Sequence, residues 1–143
     1  MLADEIADPE DVTPEELRTE YEAALASVVE REGVEAAAEA SGVDAERLDA
    51  LVAGESPEFT VEEAASVLAL SEEWPDAEGI VLEVRDNLML QMSSAVMDVD
   101  SLAAGIDTDL GPKEIQQKIE GRQPMTLAEY ARIHQHVASE NPY

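Results

Sequence analysis

Residues 34–54, with the sequence VEAAAEASGVDAERLDALVAG, decide the fold of this 143-residue chain. The alanine-rich segment from Val34 to Ala40 favours a short helix. Gly42 follows in a turn, where glycine supplies a left-handed backbone conformation without a steric cost. Asp44 then caps a second short helix, Ala45 to Ala53, which ends at a glycine. The stretch therefore predicts two short helices packed across a tight turn.

Most of the chain repeats this unit when it is compared with itself at an offset of 67 residues. Identical pairs at this offset include Arg18 with Arg85, Ser27 with Ser94, Val29 with Val96, Ala37 with Ala104, and Gly54 with Gly121. After the glycine the register shifts by one, so that Thr60, Glu63 and Ala65 fall on Thr126, Glu129 and Ala131. We interpret the pattern as an internal duplication, with an acidic tail at 1–12, a first unit at 13–72 and a second at 73–143.

Each unit is predicted to contain four helices. Threonine N-caps begin the first helix at Thr13 and the fourth helices at Thr60 and Thr126, and the last two have glutamate three positions on, as in a capping box. No segment alternates long enough between apolar and polar residues to indicate a strand. We therefore expect an all-α fold in which two pseudo-symmetric four-helix repeats pack together.

The first helix of the second unit has apolar residues around most of its circumference, between Ile80 and Met97. This distribution predicts a central helix buried on several sides. The methionines along it are alternatively the seam of a homodimer. Trp74, just before this helix, is expected to anchor the junction between the two units.

The positions Ala38, Gly42, Val43, Leu48, Leu51 and Gly54 resemble the helix-turn-helix of the lambda-repressor/Cro-like class. The resemblance implies that Ala38 allows close helix approach and that Leu48 and Leu51 seat the third helix on the core. The matching positions of the second unit are Gly105, Asp109, Leu110, Ile115 and Lys118. Asp109 would then adopt the left-handed turn. Lys118 departs from the apolar pattern, and Ile119 is expected to replace its core contact.

In DNA-binding members of that class, the exposed face of the third helix contacts base edges. In the first unit this face consists of Ala45, Glu46, Asp49, Ala50 and Ala53, which offers phosphate nothing favourable. The second unit is richer in donors, because glutamine pairs with adenine and lysine or arginine with guanine or phosphate. The candidate DNA contacts are Lys113, Gln116, Gln117, Lys118, Arg122 and Gln123.

The charge of the chain is extreme, with 34 acidic and 8 basic side chains and a net charge of −26. Residues 1–100 carry 28 acidic and 4 basic groups, whereas residues 101–143 carry 6 and 4. The composition resembles that of halophilic archaeal proteins, in which molar salt screens carboxylate repulsion. Three uses of the near-neutral second unit stay open: surface ion pairs, DNA contact, or a protein partner. A DNA mimic is a further alternative.

Catalytic chemistry, cofactors and metal sites are not expected from the sequence. The chain has no cysteine, and His134 and His136 are spaced by two residues, which separates them on a helix and indicates surface positions. The longest uncharged run, 87–97, is too short to cross a membrane. With its acidic N-terminus, the chain is expected to be cytoplasmic. We expect a regulatory protein associated with DNA through its second unit, or an interaction scaffold that has lost DNA binding.

Overall fold

The computed structural model describes residues 13–72, 76–106 and 108–140, which form eight α-helices and no strand. The prediction of an all-α fold is confirmed. The predicted tail at 1–12 and Trp74 at the predicted junction lie outside the described residues. The helices are α1 (Pro14–Glu32), α2 (Val34–Ser41), α3 (Ala45–Val52), α4 (Val61–Leu68), α5 (Ala77–Ser94), α6 (Val99–Gly105), α7 (Pro112–Ile119) and α8 (Leu127–Glu140).

Threonine side chains begin three of these helices, as predicted. The Thr13 hydroxyl accepts a hydrogen bond from an amide in the first turn of α1 at 3.1 Å. At α4 the Thr60 hydroxyl accepts from the Glu63 amide, and the Glu63 carboxylate accepts from the Thr60 amide, both at 3.1 Å. The same two bonds join Thr126 and Glu129 at α8, at 3.1 and 2.9 Å. Each cap contributes about 1 kcal/mol and marks its helix start from local sequence alone.

The two halves, α1–α4 and α5–α8, pack across each other. Helix α1 has its most extensive contact with α8, and α5 has its most extensive contact with α4. Each long helix thus buries more of its apolar face against the fourth helix of the other half than against its own. The largest fully buried side chains are Tyr21, Tyr130, Phe59, Leu17, Leu25, Leu48, Leu68, Ile80, Leu88, Leu102 and Ile115.

Two short segments, one before α4 and one before α8, pair in antiparallel orientation at the middle of this core. The Val61 amide donates to the Met125 carbonyl oxygen at 2.7 Å, and the Leu127 amide donates to the Phe59 carbonyl oxygen at 2.9 Å. All four side chains are at most 2% exposed. We call these residues, together with the threonine between each pair, the paired cap segments. They join α4 directly to α8.

Helix α5 differs from its predicted role as a helix buried on several sides, and that prediction is wrong. Leu82 is 48% exposed, Met89 43% and Leu90 69%, all on the side facing away from the core. The neighbours of α5 are α4, α7 and α8, which cover one face only. That face consists of Ile80, Val81, Val84, Leu88 and Met92.

The turn between the short helices differs between the halves. Gly42 has φ 79° and ψ 5°, the left-handed conformation predicted for it. Asp109 does not adopt that conformation. Among the described non-glycine residues, Val96 is the one with a positive φ. Helix α6 ends at Gly105 and continues into extended backbone at Ile106, so no left-handed residue is required at position 109.

Two further details concern the start of helix α6 and the buried face of helix α2. Helix α6 begins with Asp98 as its N-cap, since the Asp98 carboxylate accepts from the Ser101 amide at 2.8 Å. In α2 the fully buried small residue is Ala37, whereas Ala38 is only partly buried.

Helices α3, α5 and α7 end in one shared backbone motif. A residue with positive φ follows the helix, and the next amide donates back to a carbonyl oxygen of the last turn. Glycine occupies this position after α3 and α7, with φ 90° at Gly54 and 82° at Gly121. After α5 the position is Val96, with φ 54° and a side chain that is 92% exposed. A β-branched residue is strained in this conformation and gains no burial in return.

We predict that Val96→Gly raises the free energy of unfolding by about 1 kcal/mol, because it relieves this backbone strain. Chemical denaturation followed by circular dichroism measures the change. Val52→Gly is the matched control, since Val52 is an exposed valine at the last position of α3, where its replacement by glycine should lower stability by roughly a few tenths of a kcal/mol. Equal destabilisation by both substitutions would contradict the assigned strain.

Candidate functional site

The six predicted DNA-contact residues lie on α7 and on the segment that follows it, but they do not form one exposed surface. Lys113 and Gln116 are exposed on the outer side of α7, and Arg122 is exposed beyond its end. Gln117, Lys118 and Gln123 are partly buried. Ile115 and Ile119 hold α7 on the core, and Ile119 is 4% exposed, as expected for the residue that replaces Lys118 in the apolar pattern.

Lys118 stabilises the fold from this position. Its Nζ donates to the Pro124 carbonyl oxygen and to the Glu129 carboxylate, both at 2.9 Å, and its side chain is 13% exposed. The Glu129 carboxylate also accepts the Thr126 amide in the capping box of α8. Lys118 therefore links α7 to the start of α8, and a DNA phosphate would have to displace both partners.

The first half contains an equivalent ion pair with its cation at another position. Arg47 on α3 donates to the Glu63 carboxylate and, at 3.0 Å, to the Glu58 carbonyl oxygen. Glu63 occupies the same capping-box position at α4 as Glu129 does at α8. The guanidinium of Arg47 lowers the pKa of Glu63, chiefly through their hydrogen bond. Both halves thus fix the start of the fourth helix with a cation from the third.

Gln117 and Gln123 hydrogen-bond each other, since the Gln123 Nε2 donates to the Gln117 Oε1 at 2.5 Å. Base recognition by either amide would break this bond. Arg122 is 72% exposed and its Nε lies 3.9 Å from a Glu120 carboxylate oxygen, which is a loose ion pair. Lys113, Gln116 and Arg122 are the candidates that stay accessible.

An open groove of about 330 Å³ lies between α5 and α7. Arg85 crosses it, donating to the Glu120 carbonyl oxygen at 3.0 Å and covering Gly121, where any side chain would clash with the guanidinium. Its lining combines large apolar side chains with two cations and two anions. The lining residues are Leu82, Arg85, Asp86, Met89, Ile119, Glu120 and Arg122.

The corresponding groove of the first half, between α1 and α3, has about 290 Å³ and a different lining. On the α1 side it is lined by small or polar residues such as Ala23 and Ala26, and Leu51 and Val52 line it on the α3 side. Glu22 is 6% exposed and accepts hydrogen bonds from Arg18 at 3.3 Å and from Ser56 at 2.8 Å. The groove of the second half therefore presents larger exposed apolar side chains, beside two arginines, than the groove of the first half, where Val52 is 37% exposed.

Sequence reasoning missed the α5–α7 groove because it assigned every apolar residue of α5 to the core. One signal was available in the pattern. Leu82 and Leu90 fall nearly opposite Val84 and Leu88 on a helical projection, which makes the apolar surface wider than one buried face requires.

A buried polar cluster joins α1 to α8, and here the surface position predicted for His134 is wrong. His134 is fully buried, its Nδ1 is hydrogen-bonded to the Tyr21 hydroxyl at 2.5 Å, and both rings stack on Tyr130. Burial lowers the pKa of His134 to about 4 and, with the nearby Tyr130, raises that of Tyr21. The signal was that position 134 lies four residues after Tyr130 and three before Val137. His136 is half-buried beside Gly105.

Two further observations bear on the chemistry of the surface. Across residues 13–72, 76–106 and 108–140, histidine and carboxylate side chains form no group suited to holding a metal ion. No helix in the same ranges has the length and apolar character that crossing a membrane requires.

The described residues thus form a small all-helical protein. It has a patch of exposed apolar side chains on α5 (Leu82, Met89 and Leu90) and a sequence rich in acidic residues. The chain belongs to DUF5791, a family of unknown function, whose profile matches residues 17–140. Comparison with curated proteins and with solved structures gave no match.

We predict that the fold becomes less stable as pH is lowered, because the buried His134 must take up a proton when the chain unfolds. Since the unfolded residue has an ordinary pKa of about 6.5 and the folded one about 4, the unfolded chain binds more protons between these values, and stability declines as pH falls through them. Relative to about pH 7.5, the contribution is a loss of about 2 kcal/mol at about pH 5.

The measurement compares unfolding of the wild type and His134→Leu, because α4 has Leu68 at the corresponding position and the two proteins share every carboxylate. The variant should lack this component of the pH dependence. Parallel pH profiles for the two proteins would contradict a neutral, buried His134.

Proposed function

We propose that the protein is an interaction module built from two repressor-like helix-turn-helix units, and that it binds a protein through the α5–α7 groove and the adjoining outer face of α5, where Leu90 lies. The duplication is supported by contacts that exchange under a two-fold relation of the halves. Helix α1 against α8 corresponds to α5 against α4, and the two hydrogen bonds of the paired cap segments are reciprocal.

The exposure of Leu82, Met89 and Leu90 is the observation that carries this proposal. They lie together on the outer face of one helix. Their exposure leaves unused the stabilisation that burial of apolar surface provides, about 25 cal/mol per Å². Clustered exposed apolar residues beside charged ones are typical of protein interaction sites. Arg85 and Arg122 add cations beside them, and arginine is enriched at such interfaces.

DNA association through the second unit is the second candidate. Lys113 and Gln116 favour it, since both are exposed on α7, the helix that contacts base edges in the class this unit resembles. The exposed Glu114 and Glu120 on the same helix weaken the attraction to phosphate. Lys118, Gln117 and Gln123 are hydrogen-bonded within the protein, so few side-chain donors remain to contact DNA. We therefore rank this role below protein binding.

A salt-rich cytoplasm forms part of the proposal. A net charge of −26 on 143 residues creates strong self-repulsion, which molar salt screens to a distance of about 3 Å. Apolar contact is not weakened by such screening, whereas attraction to phosphate is largely lost. Salt therefore favours an apolar binding groove over an electrostatic one.

The test places a photo-crosslinking benzoylphenylalanine at position 90, at position 116, or at position 52 as a control, in cells that make the protein. Val52 is an exposed apolar residue at the equivalent groove of the first half. After irradiation, denaturing electrophoresis and mass spectrometry identify the adducts. We expect protein adducts at position 90 and none at position 52.

A nuclease separates the two candidate functions in the same samples. DNA binding predicts adducts at position 116 that nuclease digestion shortens. If such adducts form while position 90 yields none, the protein-binding proposal is wrong and the DNA role replaces it. Equal protein adducts at positions 52 and 90 would also contradict the assigned surface.

A further inference from the structure

We propose that the partner of the α5–α7 groove is a second copy of this chain, bound about a two-fold axis through the outer face of α5. This inference rests on the proposed function, because it names the protein that the groove binds. The outer face of α5 presents Leu82, Asp86, Met89 and Leu90 along the middle half of this 18-residue helix. The opposite face is already buried on α4 and α8.

The charge of the groove favours a copy over other partners. A two-fold interface joins the same patch from both copies, so the patch must be complementary to itself. Arg85 and Arg122 match Asp86 and Glu120, so the groove is neutral although the whole chain has a net charge of −26. A strongly acidic or strongly basic partner would find no net charge here to attract it. Two copies of the groove meet without net repulsion.

The orientation follows from the position of the groove. In an antiparallel pair of α5 helices, with the two-fold axis perpendicular to them, both grooves open on the same side of the dimer. Arg122 of one copy then faces Glu120 and Asp86 of the other. Arg122 is suited to such a contact, since it is 72% exposed and its own Glu120 holds it only at 3.9 Å.

Apolar contact supplies the affinity in this arrangement and the charges supply the register. Leu82, Met89 and Leu90 would leave solvent in both copies at once, because each copy contributes the same face. Glu83 lies at the edge of this face and is exposed. Its repulsion from the other copy is weakened by salt, so dimerisation should strengthen as KCl is raised.

Sedimentation equilibrium of the full chain tests the inference, at about 2 M KCl to screen the surface carboxylates. We expect the apparent mass to rise from 15.4 kDa toward twice that value with concentration. Leu82→Glu with Leu90→Glu should weaken dimerisation at least about tenfold, the effect of about 1.4 kcal/mol. Val52→Glu, which places the same charge at the groove of the first half, should leave it unchanged.

A charge exchange identifies the second copy as the partner. Arg122→Glu and Glu120→Arg should each weaken self-association, whereas an equimolar mixture of the two should regain dimers by pairing between unlike chains. Circular dichroism establishes that each variant is folded. Restored dimers in the mixture would require the two patches to face each other.

Two results would overturn the inference. The first is a wild-type chain that stays monomeric at every concentration and salt tested. The second is a dimer that the Leu82 and Leu90 substitutions leave intact, which would place the contact elsewhere. Protein adducts at position 90 to a different protein, together with a monomeric chain, would overturn the second copy and leave the groove's binding role standing.

Discussion

The fold depends on two reciprocal backbone hydrogen bonds between the paired cap segments. The Val61 amide donates to the Met125 carbonyl oxygen at 2.7 Å, and the Leu127 amide donates to the Phe59 carbonyl oxygen at 2.9 Å. They satisfy backbone groups that would otherwise be buried without partners between two helix starts, which is costly. They also set α4 against α8. Helices α1 and α5 then have their largest apolar contact across the halves, so that neither half encloses a complete core by itself.

Around this constraint the halves differ where function can enter. The contact of α1 with α8 includes Tyr21, Tyr130 and His134, whereas the corresponding contact of α5 with α4 involves apolar Leu68 and Leu88. The grooves differ in the opposite direction, because the long helix contributes small and hydrogen-bonded residues to the first groove, whereas it contributes the large apolar Leu82 and Met89 to the second. An ancestral pair of equal units, as we propose, would have separated stability from binding in this way.

The sequence predicted local structure well because helix boundaries depend on nearby residues. The capping boxes at Thr60 and Thr126 and the glycines after α3 and α7 lie where the pattern placed them. The candidate site was harder to predict. In the sequence alone Lys118 resembles a solvent-exposed cation, because its partner Glu129 is on another helix, α8. His134 likewise resembles a surface residue, because the Tyr21 that covers it is on α1. Leu90 reads as core until the neighbours of α5 are known.

The central claim is that the two halves depend on each other, and a fragment containing residues 13–72 tests it most directly. Far-ultraviolet circular dichroism and sedimentation, at about 2 M KCl, would measure its helicity and mass. Without α8, α1 loses its most extensive contact, and Tyr21 loses the rings of Tyr130 and His134. We expect the fragment to be unfolded or to fold only as a dimer; a folded monomer with a cooperative melting transition would contradict the mutual dependence of the halves.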